Sequence, residues 1–255
     1  MNNIFDSHAH YDDARFNEDR AELLSSLQNK GVRAVLNAGC DMCSSREGIR
    51  YTQQYDYFYA AVGIHPQAAD EFASADIEEL RQLAQEEKVV AIGEIGLDYH
   101  YETPSREIQK PVFEAQLQLA KELDMPVIVH SREATADVMA LLHKYQPKGV
   151  VHCFSGSAET AKEVLALGMY IGFTGVVTFG NAKKVLEAAT VTPLNRLLLE
   201  TDCPYMAPAP FRGKRCDSSM IAFTASKLAE IKGLETQQLI DIATENTYRM
   251  YEITR

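Results

Sequence analysis

The segment Ile4-Phe5-Asp6-Ser7-His8-Ala9-His10 begins as an apolar run and ends in two histidines one residue apart. In extended chain, residues two apart point the same way, so His8 and His10 can converge on one metal ion. The same design, a short apolar stretch closed by polar residues, recurs along the chain. Gly63-Ile64-His65-Pro66, Gly93-Glu94-Ile95-Gly96-Leu97-Asp98, His130-Ser131-Arg132, His152-Cys153-Phe154-Ser155-Gly156 and Glu200-Thr201-Asp202-Cys203-Pro204 each close such a stretch.

Working outward from the first, eight runs read as strands: residues 4–8, 32–37, 57–62, 89–93, 127–130, 149–152, 169–173 and 197–200. Amphipathic stretches separate most of them. Residues 18–30 carry Ala21, Leu24 and Leu27 at helical spacing before Gly31. Residues 112–123 carry Phe113, Leu117 and Ala120, and residues 158–167 end at Gly168. Pro111 is expected to open the helix that follows it, because a proline at the first helical position forfeits no hydrogen bond. Two further helical patterns, 219–232 and 235–251, come after the eighth strand. The alternation predicts an α/β protein. The count of eight favours a single (β/α)8 TIM barrel with an extra C-terminal helix over an open doubly wound sheet. The 255 residues match the size such a barrel needs, typically about 250. With no linker or low-complexity segment, one domain is expected over residues 1–255.

A composition of 46% hydrophobic and 24% charged residues rules out a wholly disordered chain. The net charge of −11 disfavours loose, non-specific binding of nucleic acid by the whole surface. It leaves open a nucleic-acid enzyme whose positive charge is concentrated at its site, as basic residues or metal ions. The first residues show neither the basic nor the apolar region of a signal peptide, and no run is long and apolar enough for a membrane helix. Five scattered cysteines read as reduced thiols, so a cytoplasmic protein is expected. Cys40-Asp41-Met42-Cys43 has the spacing of a redox motif. A thioredoxin-like fold would leave the other seven strands unexplained, and two cysteines do not complete a structural zinc site.

Six of the seven histidines fall at or just after strand ends, counting His100, while His143 reads as a helix-surface residue. In a parallel barrel those ends share one face, where barrel active sites are built. One histidine at a strand end is usually structural, and Glu94 alone reads equally well as a capping carboxylate. Four histidines and two carboxylates at corresponding ends of five strands are not explained by packing, since charged groups are rarely buried unpaired. Imidazole with carboxylate suits Zn, Mn, Fe or Ni, and carboxylate-rich sites also accept Mg.

These motifs, together with Leu199-Glu200-Thr201-Asp202, Arg212-Gly213-Lys214-Arg215 and Asn246-Thr247-Tyr248-Arg249, resemble the TatD family of metal-dependent hydrolases, within the amidohydrolase-like superfamily. The resemblance spans nearly the whole chain. It implies two divalent metal ions (Mg, Mn or Zn), one held by His8, His10 and Asp202, the other by His130 and His152, with Glu94 bridging them. It places His65 and Glu200 beside the ions or against the substrate. The family comprises cytoplasmic deoxyribonucleases and related phosphodiesterases, with some members proposed as deacylases of D-aminoacyl-tRNA. Family members commonly continue Arg-Gly-Lys-Arg with Asn-Glu-Pro, whereas here Cys216-Asp217-Ser218 follows Arg215. The ligand positions survive this departure. A missing proline removes a fixed φ, which predicts a looser loop.

Two ions about 3.5–4 Å apart can acidify a water and clamp the oxygens of an in-line phosphoryl displacement. Asp202 is the candidate general base. Glu200 lies two residues earlier and has two readings, a water-orienting group or an ion-pair partner inside the barrel. Arg132, Arg212, Lys214 and Arg215 are candidate phosphate contacts, although a basic run is as often a solvated loop. The activity expected is metal-dependent hydrolysis of phosphodiesters, a deoxyribonuclease of 3′–5′ exonuclease type acting on DNA, with Asp202, Glu200 and His65 as catalytic residues. No membrane association and no obligatory protein partner are expected. The rival is a metal-dependent hydrolase of a carbonyl substrate, such as a D-aminoacyl-tRNA ester or an amide, because the same chemistry attacks carbonyls. Many relatives in the superfamily use a bridging carboxylated lysine; Glu94 in that place favours the TatD-like branch. A non-catalytic barrel scaffold would have no use for the intact ligand pattern.

Overall fold

A computed structural model describes residues 1–254; Arg255, the last residue of the expected domain, lies outside the described residues. Eight strands pair in chain order, each parallel to the next. They are β1 (Ile4–Ala9), β2 (Val32–Ala38), β3 (Phe58–Val62), β4 (Val89–Asp98), β5 (Val127–Arg132), β6 (Gly149–Val151), β7 (Tyr170–Phe173) and β8 (Leu197–Leu199). Parallel neighbours need long crossovers. Helices α1 (Arg20–Leu27), α2 (Met42–Gln54), α3 (Asp76–Leu83), α4 (Arg106–Glu122), α5 (Thr135–Tyr145), α6 (Ala158–Ala166) and α7 (Lys183–Val191) supply them. Helix α8 (Ile221–Lys232) completes the eighth unit, and α9 (Thr236–Met250) is the extra C-terminal helix. The ring closes just beyond β8, where the Asp202 N–H donates to the His8 carbonyl at 3.0 Å and the His10 N–H to the Cys203 carbonyl at 2.8 Å. The fold is a (β/α)8 TIM barrel, and its closing seam lays the Asp202 backbone against that of His8 and His10.

Side chains alternate between two apolar layers. Every strand sends at least one residue into the barrel interior, among them Phe5, Leu36, Ile128, Val150 and Leu198. The residues between them, such as Val35, Val129 and Leu197, pack outward against Leu24, Leu117, Val138 and Leu228 of the helices. Helix α9 closes the N-terminal end of the barrel. Tyr248 meets Phe5 edge-on at 5.1 Å, and the Tyr251 hydroxyl donates to the Ser7 carbonyl at 3.0 Å.

The alternation breaks in two strands. On β1, Phe5 faces in while Ala9, and Tyr11 just beyond the strand, pack outward, with a register shift between Asp6 and Ala9. On β4, Ala91 faces in while Ile95 and Leu97 pack outward, with a register shift between Ile92 and Ile95. A one-residue irregularity exchanges the two faces of a strand. Those shifts turn His8, His10 and Glu94 toward the barrel axis.

Element boundaries shift from the sequence reading by one or two residues in most strands and by more in a few elements. Strand β4 continues to Asp98, whereas β6 and β8 stop just before His152 and Glu200. Pro111 lies inside α4 and does not open it. The preceding turns are held by the buried Gln109, whose Oε1 accepts the Asp98 N–H at 2.8 Å while its Nε2 donates to the Asp98 and Pro104 carbonyls. Those three bonds offset the one the proline removes. Among the described residues no helix is long and apolar enough to cross a membrane.

Candidate metal centre

The two oxygens of Glu94 divide the surrounding histidines into two groups. Oε2 lies 3.2 Å from His8 Nε2 and 3.3 Å from His10 Nε2. Oε1 lies 2.8 Å from His130 Nδ1 and 2.7 Å from His152 Nε2. Asp202 Oδ1 joins the first group, 3.4 Å from His10 Nε2 and 3.8 Å from His8 Nε2. The His8 and His152 rings stack between the groups with centroids 4.0 Å apart. Strand packing makes this proximity possible. Gly96, at φ +151, has no room for a Cβ, which would lie 2.0 Å from the His130 carbonyl oxygen, so β4 can run close beside β5.

The partners of the far ring nitrogens fix several tautomers. His10 Nδ1 faces the Ala38 carbonyl at 3.0 Å and must carry a proton, so Nε2 is the nitrogen turned toward Glu94 and Asp202. His130 Nε2 faces Asp98 Oδ2 at 3.3 Å, which likewise turns Nδ1 toward Glu94. His65 is the reverse case. Its Nδ1 accepts the Gln67 N–H at 3.1 Å, so its Nε2 carries the proton, 3.6 Å from Glu94 Oε1. His65 therefore presents a donor to the centre, not a lone pair.

Imidazole nitrogens and two carboxylates thus converge at the mouth. The His8 and His10 Nε2 atoms are only 2.9 Å apart. Ligands about 2.1 Å from one ion sit about 3.0–3.5 Å from each other, and the 3.2, 3.3 and 3.4 Å spacings among His8, His10, Glu94 and Asp202 suit a divalent cation. The electrostatics carry the same demand. Burial raises the carboxyl of Glu94, yet the surrounding His152, His65 and His8 hold it well below the usual range. Burial opposes charge on His130, but Asp98 and Glu94 outweigh it and push that ring up to about 9. Asp202 is lowered against burial by the hydrogen bond from His10 and by His152. Burial holds His65 neutral, down to about 3. The donor set fits a divalent metal, with His8, His10, Glu94 and Asp202 on one side and Glu94, His130 and His152 on the other.

Glu200 sits beneath the rings. Its side chain is fully buried, its Oε1 accepts the Cys153 N–H, and the same oxygen is 3.7 Å from His152 Nδ1. Gly172 makes room for it, since a Cβ there would lie 2.2 Å from Glu200 Oε2. Burial pushes its carboxyl up to about 8. Of the two roles open to Glu200, this geometry offers the interior one. Arg132 and Arg212 rest on aromatic rings, Arg132 5.4 Å from the Tyr101 centroid and Arg212 4.4 Å from that of Phe179. Lys214 is exposed, and Arg215 is paired with Asp19 at 2.7 and 2.5 Å. The structure thus gathers the six ligand candidates and His65, and leaves the basic run at the rim.

The loop after Arg215 is pinned, contrary to the looseness expected from its missing proline. Ser218 Oγ donates to Asp6 Oδ2 at 2.7 Å and the Ser218 N–H to the Tyr11 hydroxyl at 2.9 Å. Asp6, fully buried, also accepts from the Thr201 N–H and hydroxyl, at 2.9 and 2.5 Å. Sequence reading missed Asp98 as the partner of His130 and Asp6 as the anchor of the Ser218 loop. Both stand within the quoted motifs, and a carboxylate at a strand end beside a ligand was the available signal. Cys40 and Cys43 are free thiols around a helix cap, in which Asp41 accepts the Ser44 N–H at 2.7 Å. His143 is exposed on α5.

Comparison with known proteins bears on what such a centre does. The TatD related DNase family matches residues 5–252. The metal-dependent hydrolase YabD of Bacillus subtilis, uncharacterized, is 40% identical over 98% of this chain and 99% of its own. The 3′-5′ ssDNA/RNA exonuclease TatD of Pantoea vagans is 32% identical over 98% of this chain and 100% of its own. The crystal structure of YjjV, a TatD homologue from Escherichia coli K12, superposes with a TM-score of 0.93 at 31% identity, covering 99% of both chains. The chain spans 99–100% of these relatives, shares the barrel of the E. coli homologue and gathers candidate metal ligands at its mouth: it belongs to the TatD family of metal-dependent hydrolases.

Proposed function

We propose that this hydrolase cleaves phosphodiesters of DNA, as a 3′–5′ exonuclease, with residues 1–255 acting as one catalytic unit in the cytoplasm. The observation that carries this reading is the division of Glu94, one oxygen toward His8 and His10 and the other toward His130 and His152. Phosphoryl displacement needs charge neutralised on both the attacking and the leaving oxygen, and a bridged pair of cation positions suits that need. The exonuclease named in Pantoea vagans supports the choice of substrate.

His8, His10 and Asp202 would hold one divalent ion and His130 and His152 the other, with Glu94 shared. Ions held there supply Lewis acidity and lower the pKa of water. Asp202, ionised and 13% exposed at its side chain, receives a proton at its carboxylate. His65, neutral with Nε2–H facing the centre, donates to an oxygen of the substrate. Glu200 keeps its proton near neutral pH and fixes the backbone at Cys153, so it positions His152 and does not touch substrate. Asp98 and the Ala38 carbonyl hold the His130 and His10 rings in the tautomers that leave their lone pairs facing inward. Arg132 and Arg212 at the rim contact phosphates.

The test is metal-free protein reloaded with Mg, Mn or Zn and offered single-stranded DNA, duplex DNA, a D-aminoacyl-tRNA and a small phosphodiester. Shortening of DNA from its 3′ end is the expected result. Turnover of the aminoacyl ester with DNA untouched would replace this reading with carbonyl hydrolysis.

A further inference from the structure

Six large hydrophobic side chains are exposed among the described residues, and five of them gather at the C-terminal end of the barrel. Tyr101 follows β4, and Ile108 lies in the first turn of α4. Tyr205 and Met206 follow β8, and Phe223 lies in the first turn of α8. Single exposed apolar residues are ordinary, but concentration on the face that carries the metal centre is not. In a ring ordered β1 to β8, the positions after β4 and β8 are diametrically opposed. The two groups form opposite lips of the mouth, with Glu94 and its histidines between them.

Each lip pairs a tyrosine with a guanidinium. Tyr101, 49% exposed, has the Arg132 Cζ 5.4 Å from its ring centroid. Tyr205, 40% exposed, has the Arg15 Cζ 4.3 Å from its own, and its hydroxyl donates to Asp13 at 3.0 Å. Arginine–aromatic pairs occur elsewhere in the molecule, but there the ring is not exposed. A partly exposed ring with a guanidinium against one face leaves its other surface for a base and sets a positive charge close by for a phosphate, which matches one nucleotide. A protein partner would need a continuous apolar patch, and these two are separated by a polar, ligand-lined mouth.

We propose that Tyr205 and Tyr101 are base-stacking residues that hold a single-stranded polynucleotide across the mouth, one unpaired base on each lip and the scissile phosphate over the Glu94 centre. The inference rests on the phosphodiesterase reading and adds the residues that recognise an unpaired base. Bases inside a duplex keep their faces against one another and cannot engage either ring, so the site selects unpaired ends. Arg15 and Arg132 supply the local positive charge that a chain of net charge −11 lacks overall.

The test compares Tyr101→Ala, Tyr205→Ala and the corresponding phenylalanine variants of the metal-loaded enzyme. One substrate is a short single-stranded oligonucleotide, the other bis(p-nitrophenyl) phosphate, which carries no flanking nucleotide to lay on a lip. Each alanine variant should raise KM for the oligonucleotide about ten-fold, as loss of one base–aromatic stack does, with the small substrate turned over as before. The phenylalanine variants should behave as wild type. A phosphorothioate oligonucleotide carrying 2-aminopurine should be quenched on binding to wild type and not to the double alanine variant. Unchanged oligonucleotide kinetics with unchanged quenching would overturn the proposal. So would equal losses on both substrates, or a Tyr205→Phe loss as large as that of Tyr205→Ala, which would assign the residue to its Asp13 hydrogen bond. Wild-type enzyme that cleaves neither substrate would remove the phosphodiesterase reading, while tyrosine-dependent quenching would still decide the stacking.

Discussion

Arg215 donates from both terminal nitrogens to the carboxylate of Asp19, at 2.7 and 2.5 Å, and from one of them to the Arg15 carbonyl at 2.8 Å. The pair ties the loop after β8 to the loop after β1 across 196 residues of chain. A guanidinium satisfied in this way is poorly placed to leave for a phosphate.

Arg212 and Arg215 should therefore behave differently, although they are three residues apart. Arg212→Ala should raise KM for DNA several-fold without changing the melting temperature. Arg215→Ala should lower the melting temperature by a few degrees, since a partly exposed ion pair contributes at most about 1 kcal/mol. Asp19→Ala should reproduce that loss, and the double variant should add little to it. Additive losses would mean that the pair is not a unit.

Glu94→Gln should abolish the bridge between the two histidine groups. Turnover should fall by at least about 100-fold, and metal content measured by mass spectrometry should drop. Near-normal hydrolysis by a variant that still binds two ions would sink the assignment of Glu94.

Asp98→Asn tests the orientation of His130. The amide cannot accept as a carboxylate does, so the ring loses its preference for the tautomer with Nδ1 bare. Metal affinity, measured by competition with a chelator, should weaken about 10- to 100-fold. The fold should persist, because Gln109 grips the backbone of Asp98 and not its side chain. Unchanged affinity would show that Asp98 serves only to pack the strand end.

His143→Ala and Cys43→Ser should leave metal binding, turnover and melting temperature within error of wild type. Both side chains are exposed, and neither is among the groups that meet Glu94. A folded Cys43→Ser variant that lost activity would assign a function to the thiol pair that its place at a helix cap does not indicate.

The legible part of the site was the set of residue types at strand ends. His130 and His152 face inward as simple alternation requires, each two residues beyond an interior residue, Ile128 and Val150. Pro111 shows the opposite case. A helix start was read from the proline, but the true start depends on Gln109 bonding to a strand end eleven residues earlier, which periodicity does not report.

Strand and helix alternation, the count of eight, the extra helix and the identity of the mouth residues were all determined by sequence alone, because periods of 2 and 3.6 are local properties of the chain. Strict alternation from Phe5 and Ala91 would have turned His8, His10 and Glu94 toward the helices. The register shifts in β1 and β4 that bring them to the axis arise from pairing with neighbouring strands. The tautomer of His10 likewise depends on the Ala38 carbonyl, and the engagement of Arg215 on Asp19. These features were decided only by the tertiary structure, because each is a relation between segments far apart in the chain, set by strand register and burial and absent from any local pattern.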